Sequence, residues 1–483
     1  MRRTTTLTVA TLLGLTLLTP TTSASAAGET CRGEAATIVG NGPTVTGTEG
    51  RDVIVSASAG VIAALGGDDL ICVAVTRTNS NVLSVDAGAG NDTVDTTAMT
   101  DDGYYITTTL GAGADTFAGG RANDTVHGGE RDEPRADTER DVVDTAEGND
   151  AVITGSVGAA NRDSVTLGAG RDFLYLGSPA VASDAVLDGG VGEDSMRLEA
   201  GSGDLALDMV QGTFTTAHGA ARFTAFEFTT LDVGTGTVTY RGTEGPDIVT
   251  VRPIAGVPTL DVVTGGGDDD VTLEPAALAP GSRIDTGAGG DTLVTATDTG
   301  RLALDLPARR LTVGAVDAVA VGIEDAFLMA PEVVMVGDDG DNQLSWTGCD
   351  ANLRGGLGDD ALAQRYDYLF ETYEFRCLGE VSLNGGEGRD SLRGSIGEDL
   401  LIGDRGHDTI EGRGSADRIR GSRGNDKADG GEGRDQVSGG AGDDVVNGRA
   451  GDDVLLGGPG RDRVDGSNGR DRCLAEHKQR CER

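Results

Sequence analysis

Between residues 385 and 474 the chain repeats one nine-residue pattern of polar and apolar positions ten times without an insertion. The units run GGEGRDSLR, GSIGEDLLI, GDRGHDTIE, GRGSADRIR, GSRGNDKAD, GGEGRDQVS, GGAGDDVVN, GRAGDDVLL, GGPGRDRVD and GSNGRDRCL. Their eighth position is apolar throughout: Leu392, Leu401, Ile410, Ile419, Ala428, Val437, Val446, Leu455, Val464 and Cys473. One apolar residue between polar neighbours predicts a short strand over positions seven to nine, with only the eighth side chain turned inward. Gly stands first and Asp sixth in all ten units; Gly stands fourth in nine, with Ser415 the exception. Two units make one coil, so loops alternate between two edges and each loop stacks on the next but one. One edge then carries Asp390, Asp408, Asp426, Asp444 and Asp462, and the other Asp399, Asp417, Asp435, Asp453 and Asp471.

Upstream the same unit recurs in worn form. Glycine loops followed by an apolar residue surround Asp52, Asp69, Asp92, Asp115 and Asp124, while Asp150, Asp172 and Asp194, and again Asp247, Asp269 and Asp291, follow at 22-residue steps. That pitch predicts one glycine–Asp loop per coil and a longer return, with the acids on one edge. A longer duplication lies over it: Gly203–Asp208 returns as Gly300–Asp305 and Glu227 as Glu324, both at an offset of 97. The apolar stretch Leu302–Val336 reads as plainer β-coil. The predicted fold is all-β, a right-handed parallel β-roll or β-helix solenoid. Its divisions are 28–200 (degenerate glycine–Asp repeats), 201–384 (duplicated modules), 385–474 (the regular block) and 475–483 (a C-terminal cap). CLAEHKQRC, Cys473 to Cys481, suits a cap of one helical turn closed by a disulfide.

Residues 1–27 have the order of a secretory signal peptide: Arg2 and Arg3, an apolar run from Leu7 to Leu18, then small residues to Ala27. No later apolar run is long enough to span a bilayer, so the expected product is secreted, extracellular and soluble. Composition sharpens this picture. With 78 Gly, and 79 acidic against 39 basic residues for a net charge of −40, the chain repels nucleic acid and anionic membranes. One Trp, seven Tyr and nine Phe do not make the aromatic core of an ordinary enzyme of this length. Six cysteines fit an oxidising compartment and allow 15 pairings; proximity in sequence favours Cys31–Cys72, Cys349–Cys377 and Cys473–Cys481.

The nonapeptides resemble the RTX, or hemolysin-type calcium-binding, repeat, whose consensus is G-G-x-G-x-D-x-U-x. The resemblance is near complete over 385–474 and looser over much of the remainder. It implies a parallel β-roll with calcium ions between stacked turns. Calcium takes six to eight oxygen ligands, carboxylate and carbonyl alike. The ten sixth-position aspartates named above supply the carboxylates; the backbone carbonyls of Gly385, Gly394, Gly403, Gly412, Gly421, Gly430, Gly439, Gly448, Gly457 and Gly466 are the candidate neutral ligands. Five loops per edge leave four gaps, hence about eight sites if each gap holds one ion. Upstream, Asp52, Asp92, Asp115, Asp172, Asp194, Asp247, Asp269 and Asp291 are either further calcium ligands or ordinary Asp-Gly turns. Two medium apolar side chains per coil do not offset the ordering of 18 residues, so the block is expected to fold on binding calcium.

Catalytic motifs are wanting: there is no H-E-x-x-H and no G-x-S-x-G. His127, His218, His407 and His477 read as surface residues, and Asp268/Asp269 and Asp443/Asp444 as ligand or turn pairs rather than acid–base pairs. The expected function is that of a secreted calcium-binding structural or binding protein. The alternatives are a β-helix enzyme acting on an acidic polysaccharide and a surface adhesin with a cell-surface partner.

Overall fold

The computed structural model describes residues 29–74, 82–129, 139–155, 161–177, 185–217, 219–365 and 380–481. The signal-peptide expectation, His218 and Cys377, with its predicted bond to Cys349, lie outside the described residues.

Alternation of one inward residue with outward polar neighbours gives short parallel strands, and the 18-residue period stacks them in register. One ladder of 21 strands runs from Thr44–Thr46 to His477–Gln479, and a second from Ile38–Val39 to Arg472–Leu474. Each strand pairs with its neighbours one coil before and after. Among the described residues there is no helix, and none long and apolar enough to cross a membrane.

The register explains the core. In the first ladder Leu392 faces Ile410, then Ala428, Val446 and Val464. In the second, Leu401 faces Ile419, Val437, Leu455 and Cys473. These are the eighth positions, and they join one apolar column that continues upstream through Trp346, Tyr240 and Phe117. Arginines at positions five and seven, such as Arg389, Arg418, Arg434 and Arg463, are exposed, as their places beside inward residues require.

Two expectations are corrected. Leu302–Val336 is not plain coil: Arg301–Asp305, Arg310–Val313 and Val316–Val321 form an antiparallel meander spliced into the second ladder. Leu205–Asp208, Thr213–Thr216 and Gly219–Thr224 do the same one module earlier. The 97-residue duplication is thus a duplicated meander, and it lengthens the coil that contains it to 33 residues, from Asp194 to Glu227 and from Asp291 to Glu324. The terminal segment is a strand rather than a helical turn, because His477–Gln479 finds a free ladder edge on Arg463–Asp465. The disulfides Cys31–Cys72 and Cys473–Cys481 are formed as expected.

Candidate metal centre

Each sixth-position Asp sits at the turn into a strand, where the loop behind it is short enough to lie directly over the loop of the next coil. Its two carboxylate oxygens have different fates. The amide of Asp390 donates to Oδ1 of Asp408 at 3.0 Å, Asp408 to Asp426 and Asp426 to Asp444 at 2.9 Å, and Asp444 to Asp462 at 3.0 Å. On the other edge Asp399 donates to Asp417, Asp417 to Asp435 and Asp435 to Asp453, each at 2.9 Å, and Asp453 to Asp471 at 3.1 Å. One oxygen of each carboxylate except that of Asp399 therefore bridges coils, Asp390 accepting from the Asp360 amide. The ten aspartates are 0–4% exposed, and in all but Asp399 the second oxygen, Oδ2, is buried with no hydrogen-bond partner. Buried polar atoms left unsatisfied are rare and costly, so nine in two straight files mark places that favour a cation or the carboxyl's own proton.

The first-position glycines shape the space around Oδ2. A Cβ on Gly412 would stand 2.3 Å from Asp417 Oδ2 and 2.4 Å from the carbonyl oxygen of Gly430; on Gly421, 2.4 Å from both Asp426 Oδ2 and the Gly439 carbonyl. Only glycine lets a carboxylate oxygen and a carbonyl from the next coil converge there. The carbonyls of Gly385, Gly412, Gly430, Gly439, Gly448 and Gly466 are brought in this way. Those of Gly394, Gly403, Gly421 and Gly457 are not among the nearest atoms. At the last loop the Arg480 carbonyl takes the place of the missing coil, 2.3 Å from the same point on Gly466.

This donor set is hard, all oxygen, and mostly backbone. Among the described residues no three acidic, His or Cys side chains converge, since each loop contributes a single carboxylate. Calcium tolerates that composition; zinc does not. Burial pushes the carboxyls of Asp390, Asp408, Asp426, Asp435 and Asp444 up to about 6, against the opposing pull of the amide hydrogen bond, and that of Asp417 up to about 8. Ionising the file without a cation is therefore unfavourable.

A family model described as the RTX calcium-binding nonapeptide repeat matches in four copies, over residues 109–130, 382–410, 411–446 and 438–473. The chain carries RTX calcium-binding repeats. None of the curated proteins matches the sequence.

The RTX geometry extends beyond the matched residues. Asp69, Asp92, Asp150, Asp172, Asp194, Asp269, Asp291 and Asp360 also leave Oδ2 buried and without a hydrogen bond. Asp69 donates to Asp92 and Asp92 to Asp115 on the second-ladder edge, while Asp150, Asp172 and Asp194 follow one another on the first-ladder edge. The 22-residue series lies on one edge, as its spacing predicts; Asp52, Asp92 and Asp115 lie on the other. Asp52 and Asp247 differ from the rest, since both of their carboxylate oxygens accept bonds from nearby threonine or tyrosine groups. Asp360 is a site residue that sequence reading passes over, although GGLGDDALA at 355–363 is a complete repeat. Its amide donates to Asp390 at 3.0 Å across a 30-residue coil.

Each first-ladder file closes on a glutamate. The amides of Asp194, Asp291 and Asp462 donate to Oε2 of Glu227, Glu324 and Glu476, at 2.7, 2.9 and 3.2 Å. The longer side chain spans a coil whose path differs from the regular loop. Glu476→Ala is expected to speed hydrogen exchange at the Asp462 amide and leave the Asp426 amide unchanged; equal rates before and after substitution would remove Glu476 from the cap.

Proposed function

We propose that this is a secreted calcium-binding protein with a structural or binding role outside the cell, whose RTX roll folds on binding calcium. The observation that carries this reading is the pair of files of buried Oδ2 atoms facing backbone carbonyls. Calcium supplies the positive charge that lets these carboxylates ionise side by side. The protein supplies the rest: Oδ1 ties coil to coil, first-position glycine keeps side chains out, and the eighth-position column excludes water. Two disulfides staple the ends, which suits an oxidising exterior, as does the signal-like order of residues 1–27.

The test is far-UV circular dichroism of the full chain at pH 8, with chelator and then with calcium. Most of the β signal of the RTX block is expected to vanish on chelation and to return cooperatively with calcium but not with magnesium, which dehydrates reluctantly and prefers octahedral geometry. A β spectrum indifferent to chelator would defeat the proposal.

A further inference from the structure

The carboxylate loops occur in two backbone states, distinguished at the residue four before the carboxylate. In the loops of Asp408, Asp417, Asp426, Asp453 and Asp471 that residue is Asp404, Arg413, Ser422, Arg449 or Ser467, with φ of 81°, 85°, 86°, 75° and 68°. Non-glycine residues persist in this region only where surrounding structure imposes it. The corresponding glycines, such as Gly386 and Gly440, share it. These loops all leave Oδ2 without a hydrogen bond.

Five described loops lack positive φ at that residue. In one, Gly120 precedes Asp124, whose two carboxylate oxygens accept no hydrogen bond. In the other four the second residues are Thr48, Thr243, Asp338 and Ser395, and the amide folds back onto the loop's own sixth side chain. Thr48 donates to Asp52 Oδ2 and Thr243 to Asp247 Oδ2 at 2.7 Å, Ser395 to Asp399 Oδ2 at 2.6 Å, and Asp338 to Asn342 Oδ1 at 2.9 Å. Each of these loops is the foot of a file, with Asp69, Asp269, Asp360 and Asp417 next above. In the three aspartate feet the other oxygen, which higher loops offer to the preceding coil, accepts a hydroxyl from Thr37, Tyr240 or Ser395.

We propose that the folded-back amide decides which loops take a cation: open loops bind calcium, including those upstream at Asp69, Asp92, Asp150, Asp172, Asp269 and Asp360, whereas the four feet that carry that amide bind none. An N–H on Oδ2 occupies its lone pair and directs a positive dipole at the place a cation would need. Asn342 agrees independently, for an uncharged amide stands at a foot where no ion has to be balanced. The inference rests on the calcium-binding reading above and adds the rule for which carboxylates serve it.

Equilibrium dialysis of the full chain against calcium, with total metal counted per protein, tests the rule on two matched pairs. Asp417→Asn and Asp269→Asn, in open loops, are each expected to lose one ion relative to the unsubstituted protein. Asp399→Asn and Asp247→Asn are expected to keep the full number, because Asn342 shows that a foot accommodates the amide. Equal counts within both pairs would overturn the rule, whether all four variants lose an ion or none does. The Asp269/Asp247 pair decides if Asp417→Asn fails to fold. Absence of calcium binding by the unsubstituted protein would strike at the proposed function itself.

Discussion

Gly424→Ala is expected to abolish the ordered roll, at a cost of more than about 4 kcal/mol, the range reserved for changes that nothing nearby can absorb. Gly424 has φ +130° and a Cβ there would lie 1.3 Å from the Gly406 carbonyl oxygen. The obstacle is backbone, so no rotamer relieves it, and the loop below cannot withdraw without breaking its ladder. A calcium titration by circular dichroism should show the midpoint shifted by at least tenfold or the transition lost. A melting curve in saturating calcium that matches the unsubstituted protein would show that the loops are not stacked as described.

Lowering the pH of the calcium-free protein is expected to increase its β structure. The carboxyls of Asp390, Asp408, Asp426, Asp435 and Asp444 stand near 6, and that of Asp417 near 8, against 3.8 for an ordinary Asp. Groups that hold protons more tightly when folded contribute stability fully present below about pH 4 and lost as pH rises through about 6 to 8. Ionising a group that stands near 6 costs roughly 3 kcal/mol and Asp417 roughly 6 kcal/mol, less where solvent screens the loop. Several together exceed the stability of an ordinary domain, about 5–15 kcal/mol. In chelator, β signal present at pH 5 should disappear by pH 8; with calcium it should persist at pH 8, and the calcium midpoint should rise as pH falls. A calcium-free β signal that grows with pH would contradict the burial of these carboxyls.

Local period made much of this legible. Eighth-position residues from Leu392 to Val464 declare an inward column because a strand has only two faces, and sixth-position Asp at 18-residue intervals must stack if that column is to close. What escaped depends on distant parts of the chain. Ser395 and Ser422 both occupy second positions, yet one closes its loop and the other is held at φ 86°. The difference lies in whether a carboxylate loop precedes them in the stack, which a single repeat does not encode. Asp360 was hidden because 30 residues separate it from Asp390, so a search at the regular period steps past it. Glu227 and Glu324 were visible as a matched pair at an offset of 97, but their place in the acid files follows from the meanders that lengthen their coils.

The linear ladder also sets the size of the molecule. Twenty-one strands in one file, at about 4.8 Å per step, make a rod on the order of 100 Å long whose girth stays that of a single coil. Every added repeat lengthens the rod without thickening it, and the Cys31–Cys72 and Cys473–Cys481 bonds clamp its two tips, where an unstapled solenoid would fray. The fold thereby holds the two ends of the described ladder a fixed distance apart.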